Sequence, residues 1–93
     1  MIKNFADKET ERTFNREFSR RLSPQIPRRP LIKLTMLDAA HTLQDLRVPP
    51  SNHLEKLGGQ RGEQYSIRIN DRWRICFIWK DGDAFDVEIV DYH

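Results

Sequence analysis

The stretch Tyr65-Ser-Ile-Arg-Ile-Asn-Asp-Arg-Trp-Arg-Ile-Cys-Phe-Ile-Trp-Lys-Asp-Gly-Asp-Ala-Phe-Asp-Val-Glu-Ile-Val-Asp-Tyr-His93 decides the fold class. Tyr65, Ile67 and Ile69 alternate with Ser66, Arg68 and Asn70. Trp73, Ile75, Phe77 and Trp79 then alternate with Arg74, Cys76, Ile78 and Lys80, and Phe85, Val87 and Ile89 with Asp86, Glu88 and Val90. Period-two runs rich in aromatic and β-branched residues predict three half-buried strands. Asp81-Gly82 predicts a type I′ hairpin turn, which needs positive φ at both central positions. Asn70-Asp71 marks a weaker turn. The expectation is an antiparallel meander with the aromatics on one face and Arg68 and Arg74 on the other.

Working back toward the N-terminus, Ile2-Lys-Asn-Phe5 reads as a short first strand. Asp7 is placed as an N-cap, with Glu9 and Glu11 in the first turn, where the helix dipole favours acids. Phe14 and Phe18 stand four apart and share a helix face, so a helix is expected over Lys8 to Arg21. Prolines 24, 27 and 30 then interrupt helix formation. From Pro30 to Leu46 a second helix is expected, because Ile32, Met36, Ala39, Leu43 and Leu46 recur at three and four. Pro49-Pro50 ends it. Residues 51–62 read as a loop that Leu54 and Leu57 tack to the core, leaving His53, Glu55, Lys56 and Arg61 to solvent or a ligand. The order of elements predicts an α+β fold, with a short N-terminal strand and a helical hairpin packed on an antiparallel sheet.

With 93 residues there is room for one modest core, hence a single domain over 1–93. No apolar run approaches the ~20 residues of a membrane span. Met1-Ile-Lys-Asn-Phe5 lacks the apolar stretch of a signal peptide, so a cytoplasmic chain without membrane contact is expected. Cys76 is the only cysteine, which excludes a disulfide framework and a cysteine-based zinc site. His41, His53 and His93 do not have metal-ligand spacing, and no cofactor is expected. Net charge is only +2, yet residues 1–62 hold 12 Lys/Arg against 7 Asp/Glu, and residues 63–93 hold 4 against 7. A basic first part of this kind points to a polyanion or an acidic protein partner.

Chemistry gathers at the C-terminal end. Asp91, Tyr92 and His93 follow the last strand, and Arg68 and Arg74 lie on neighbouring strands. A histidine beside phosphate-binding arginines is the minimum equipment for cleaving RNA. The 2′-hydroxyl must lose a proton, the phosphorane gains charge, and the 5′-oxygen needs a proton. Strand alternation places Asp91 and His93 with Phe85, Val87 and Ile89, and Tyr92 with Glu88. Lining one cleft with all three requires the strand to bend or end near Val90.

The string Gly-Gly-Gln-Arg-Gly-Glu-Gln-Tyr-Ser-Ile-Arg-Ile-Asn-Asp-Arg-Trp-Arg-Ile-Cys-Phe over residues 58–77, followed by Val87-Glu-Ile-Val-Asp-Tyr-His93, resembles the HigB-type toxins of the RelE superfamily, a plasmid maintenance killer protein family. The resemblance covers the whole chain and implies a RelE-like microbial RNase fold. It implies a type II toxin that cuts translated messenger RNA in the ribosomal A site and so inhibits translation and growth. The implied partner is a cognate HigA-like antitoxin with a helix-turn-helix domain, through which alone the pair would reach operator DNA. Asp91, Tyr92 and His93 match the terminal catalytic residues of such toxins, and Arg74 matches their phosphate-stabilising arginine. Arg68, Arg72, Arg61 and Lys56 are the RNA-binding candidates. Two departures stand out. Many members carry Lys-Gly-Asp-Arg where this chain has Gly58-Gly59-Gln60-Arg61. The position of a catalytic loop histidine in some members falls on Glu55, with His53 two residues earlier, so either residue is a candidate base. The alternative to an enzyme is a non-catalytic basic module that docks an acidic partner.

Overall fold

A computed structural model of the chain describes residues 1–17, 28–57 and 64–91. Its elements are α1 (Lys8–Phe14), α2 (Arg28–Ala39), β1 (Glu55–Lys56), β2 (Gln64–Arg68), β3 (Trp73–Lys80) and β4 (Asp83–Asp91), with single 3-10 turns at Leu43–Arg47 and Pro50–Asn52. The strands form one antiparallel sheet in the order β1-β2-β3-β4. Both helices pack on each other and on β4, which makes the fold α+β as expected.

The two turns form where their residues predict them. Asp81 and Gly82 have φ of 53° and 80°, the two positive values a type I′ hairpin needs. At the β2–β3 connection the Asn70 side-chain oxygen accepts from the N–H groups of Arg72 and Trp73, both at 2.9 Å. That local bond is how asparagine competes with an extended backbone.

In β4 the alternation is broken. Cys76 faces Glu88 and Ile78 faces Phe85, so two residues of β4, Asp86 and Val87, lie opposite Phe77. This is a β-bulge, with Asp86 at φ 51°. It moves Phe85 off the buried face, and the stripe that reaches the core is Ala84, Val87 and Ile89. Asn4 braces the bulge: its side-chain oxygen accepts from Asp86 N–H at 2.7 Å and its amide donates to the Asp86 carboxylate at 3.1 Å.

The predicted first strand is reduced to two bridges, Ile2 to Ala84 and Phe5 to Val87, parallel to β4. These few residues still satisfy the outer edge of β4. Lys3 N–H donates to Ala84 O at 2.8 Å, Ala6 N–H to Val87 O at 2.9 Å, and Ala84 N–H to Met1 O at 3.0 Å. The buried Thr10 hydroxyl of α1 accepts from Ile89 N–H at 3.0 Å and continues the cover. An edge left bare would template pairing with another chain.

Both helices are shorter than their periodicity predicts. Asp7 caps α1 as expected, its carboxylate accepting from Thr10 N–H at 2.7 Å, but the helix ends at Phe14 and Arg16 takes φ 62°. Phe14 packs against Phe5, ring centroids 5.7 Å apart. Residues 15–17 are not helical, and the pairing proposed with Phe18 and the rest of the expected helix, residues 18–21, lie outside the described residues. Helix α2 covers Arg28–Ala39 and stops at Ala39, not Leu46. A capping box interrupts it: the Thr42 hydroxyl accepts from Asp45 N–H, and the Asp45 carboxylate from the N–H groups of His41 and Thr42. Those two backbone donors hold the Asp45 carboxyl below its ordinary range. The buried face of α2 is Pro30, Leu34 and Leu37, continued by Ala40, while Ile32 is half exposed. Of the expected stripe, Leu46 is buried and Met36 and Leu43 pack against the core, whereas Ile32 and Ala39 give way to Leu34, Leu37 and Ala40. The core joins Leu34, Leu37, Ala40 and Leu46 to Ile67, Ile69, Ile75, Phe77, Ala84, Val87 and Ile89 of the sheet.

Candidate functional site

Arg74 is the second residue of β3, and its cross-strand partners are Arg68 on β2 and Val90 on β4. With Ile75 and Phe77 in the core, parity directs Arg74 to the opposite face, beside Ser66. There it is 8% exposed. Its Nε donates to Ser66 Oγ at 2.9 Å, and its Nη2 donates to the His53 carbonyl at 2.7 Å. The Glu55 carboxylate lies 3.8 Å from Nη2. Glu55 faces Ser66 across the β1–β2 pairing, so three adjacent strands bring carboxylate, hydroxyl and guanidinium to one side of the sheet. An aromatic row of Tyr65, Phe77 and Trp79 stiffens the other side, with neighbouring centroids at 6.2 and 6.3 Å.

His53 is exposed, as expected, and also takes part through its backbone. Its backbone is left-handed, φ 44°, and its carbonyl holds Arg74 while the imidazole is exposed. The turn is set by Asn52, a residue that sequence reasoning passed over. Asn52 is fully buried. Its amide donates to Leu46 O at 3.0 Å, Val48 O at 3.4 Å and Met36 Sδ at 3.2 Å, and its side-chain oxygen accepts from the Lys33 ammonium. An asparagine after Pro50-Ser51 reads as an ordinary turn residue, and only the fold makes it a hub. Ser66 was likewise read as a strand's polar alternate, and its buried hydroxyl is an anchor for Arg74. Replacing Asn52 by alanine leaves the Leu46 carbonyl and the Lys33 ammonium without their shared partner. The expected loss is about 1–3 kcal/mol for the unsatisfied group. Urea denaturation measures it, with the turn's release visible as faster amide exchange at His53.

The other expected residues separate into three groups. Lys56 is exposed on β1 opposite Tyr65. Arg68 forms an ion pair with Asp71. Arg72 Nε donates to Asp91 Oδ2 at 2.9 Å while its guanidinium lies 4.9 Å from the centre of the Trp73 ring. β4 runs as a strand through Asp91, which pairs with Trp73. By that register Asp91 stands on the face opposite Arg74, as strand alternation predicts, and whether the chain bends beyond it lies outside the described residues. Tyr92, His93 and Arg61 lie outside the described residues. Among the described residues no three His, Cys, Asp or Glu side chains could hold a metal ion together, and no helix is long and apolar enough to cross a membrane.

A fixed guanidinium beside a carboxylate, on a four-stranded sheet flanked by two helices, is an arrangement for gripping and polarising an anionic group. The sequence matches, over residues 3–93, the family described as RelE-like toxin of type II toxin-antitoxin system HigB. The chain belongs to the HigB-like toxin family. Toxin HigB-1 of Vibrio cholerae serotype O1 is 39% identical over 87 residues, 92% of each chain. The protein named Endoribonuclease HigB from Proteus vulgaris is 30% identical over 93 residues, the full length of both. Membership in a type II toxin family makes an antitoxin the partner of this HigB-like chain.

Proposed function

We propose that this HigB-like toxin is an endoribonuclease that cuts messenger RNA during translation in the cytoplasm. Its inhibitor is then a HigA-like helix-turn-helix antitoxin, which alone carries the pair to operator DNA. The observation that carries the reading is the Arg74–Glu55 pair, a guanidinium held at Ser66 and His53 with a carboxylate 3.8 Å away. A module that merely docked an acidic partner would present such an arginine outward, and this one is almost buried.

In the reaction, the 2′-oxygen attacks phosphorus as its proton passes to a base. Glu55, exposed to substrate and 3.8 Å from the Arg74 guanidinium, stands beside the group that grips the phosphate and is the candidate base preferred to the His53 ring. Negative charge grows on the phosphorane oxygens, where Arg74 stabilises it without having to reorganise. The bond to the 5′-oxygen breaks as His93 donates a proton, leaving a 2′,3′-cyclic phosphate and a 5′-hydroxyl. Asp91, tied to Arg72, orients His93, and Tyr92 stacks on or hydrogen-bonds the substrate.

Glu55 is a weak base and position 58 carries no lysine, so substrate alignment must supply much of the rate. A ribosome that holds the message for in-line attack can contribute ~7–11 kcal/mol through positioning. The expected result is negligible cleavage of naked RNA and rapid cleavage of the same message once ribosomes translate it. Equal cleavage in both tubes would leave an ordinary ribonuclease.

A further inference from the structure

We propose that the cleft between α2, the 50–52 turn and the end of β2 binds one RNA backbone phosphate, adjacent to the one that is cleaved. The inference rests on the ribonuclease reading and deepens it. The cleft, of about 140 Å³, is lined by Arg29, Lys33, Ser51, Arg68 and Ile69. Three cations and a hydroxyl therefore converge on one hollow. Burial first, and then Arg29 and Arg68, lower the Lys33 pKa, so these like charges are held together against repulsion.

The protein does little to compensate them. Lys33 donates to Asn52, a neutral amide. Among the described residues, the carboxylate that pairs with any of the three cations is Asp71 on Arg68. Its side chain is 99% exposed, and an ion pair in that setting is weak and readily exchanged. An anion seated among Arg29, Lys33 and Arg68 offsets their mutual repulsion. Phosphate suits it, since its oxygens accept from guanidinium, ammonium and hydroxyl donors at once. A base does not suit it, because the lining has no aromatic ring to stack on.

Position makes that phosphate part of the same RNA strand. Arg68 is the direct cross-strand neighbour of Arg74. Ser51 precedes by two residues the His53 carbonyl that holds Arg74. One short turn thus borders both places, and a strand passing Arg74 carries its next phosphate to the cleft.

The test compares two non-cleavable 2′-O-methyl oligoribonucleotides by fluorescence anisotropy: a dinucleotide with one phosphate and a trinucleotide with two. Wild type should favour the trinucleotide, with a salt slope steeper by ~0.7 for the added contact. In Arg29→Gln/Arg68→Gln, which keeps the Lys33–Asn52 bond, the preference should fall on the order of tenfold and the extra slope should vanish. Lys33→Gln, checked for folding by its thermal melt, should act in the same direction. An unchanged preference in folded variants overturns the subsite. So does a variant that loses antitoxin binding while keeping wild-type RNA binding, since the cleft would then be a protein contact. Cleavage of a translated message by wild type is scored separately: its absence refutes the nuclease reading, whereas its presence beside an unchanged preference refutes the subsite alone.

Discussion

Arg74→Ala should reduce cleavage of a translated message by roughly 10²–10³, the effect of losing about 3–4 kcal/mol of charge stabilisation in the transition state. It should also destabilise the protein. A strand residue turned away from the aromatic face is expected to contribute little to stability, but Arg74 is nearly buried and ties Ser66 on β2 to the turn at His53. Removing it leaves a buried hydroxyl and a carbonyl short of a donor, at about 1–3 kcal/mol for such a group. Thermal melts and single-turnover cleavage on one preparation separate the two losses. Arg74→Lys should recover only part of the rate, because one ammonium cannot hold Ser66 and His53 in place and still present a fork to phosphate. Equal rates for Lys and Arg would reduce Arg74 to a generic positive charge.

His93→Ala should cost ~10²–10⁴ in rate, the usual effect of removing a proton-transfer group. A melting temperature close to wild type is the control that assigns the lost rate to chemistry and not to folding. The proposed role is donation of a proton to the departing 5′-oxygen. A message with sulfur in place of that one bridging oxygen has a leaving group that departs without protonation. On that message the His93→Ala protein should approach wild-type speed. If the deficit persists with sulfur, His93 is not the general acid.

The antiparallel meander, its hairpin at Asp81-Gly82 and the placing of Arg68 beside Arg74 could all be read from residues 65–90, because period-two alternation and turn chemistry are local properties. The family resemblance in residues 58–77 and 87–93 was also present in the letters alone. What could not be read was set by contacts distant in the chain. The bulge at Asp86 depends on Asn4, 82 residues away, and it alone separates Phe85 from Val87 and Ile89. Helix α2 was misread because 3.6-residue periodicity continues smoothly across Ala39, whereas the Thr42–Asp45 box ends the helix for local hydrogen-bonding reasons. The phase of its buried face depended on which side met the sheet. The site divides the same way. Residue types able to bind phosphate and move protons were legible, as was the parity that turns Asp91 away from Arg74, but not that His53 contributes a carbonyl or that Ser66 and Asn52 are anchors. Those are consequences of burial and of strand register, and both come into existence only when remote segments of the chain pack together.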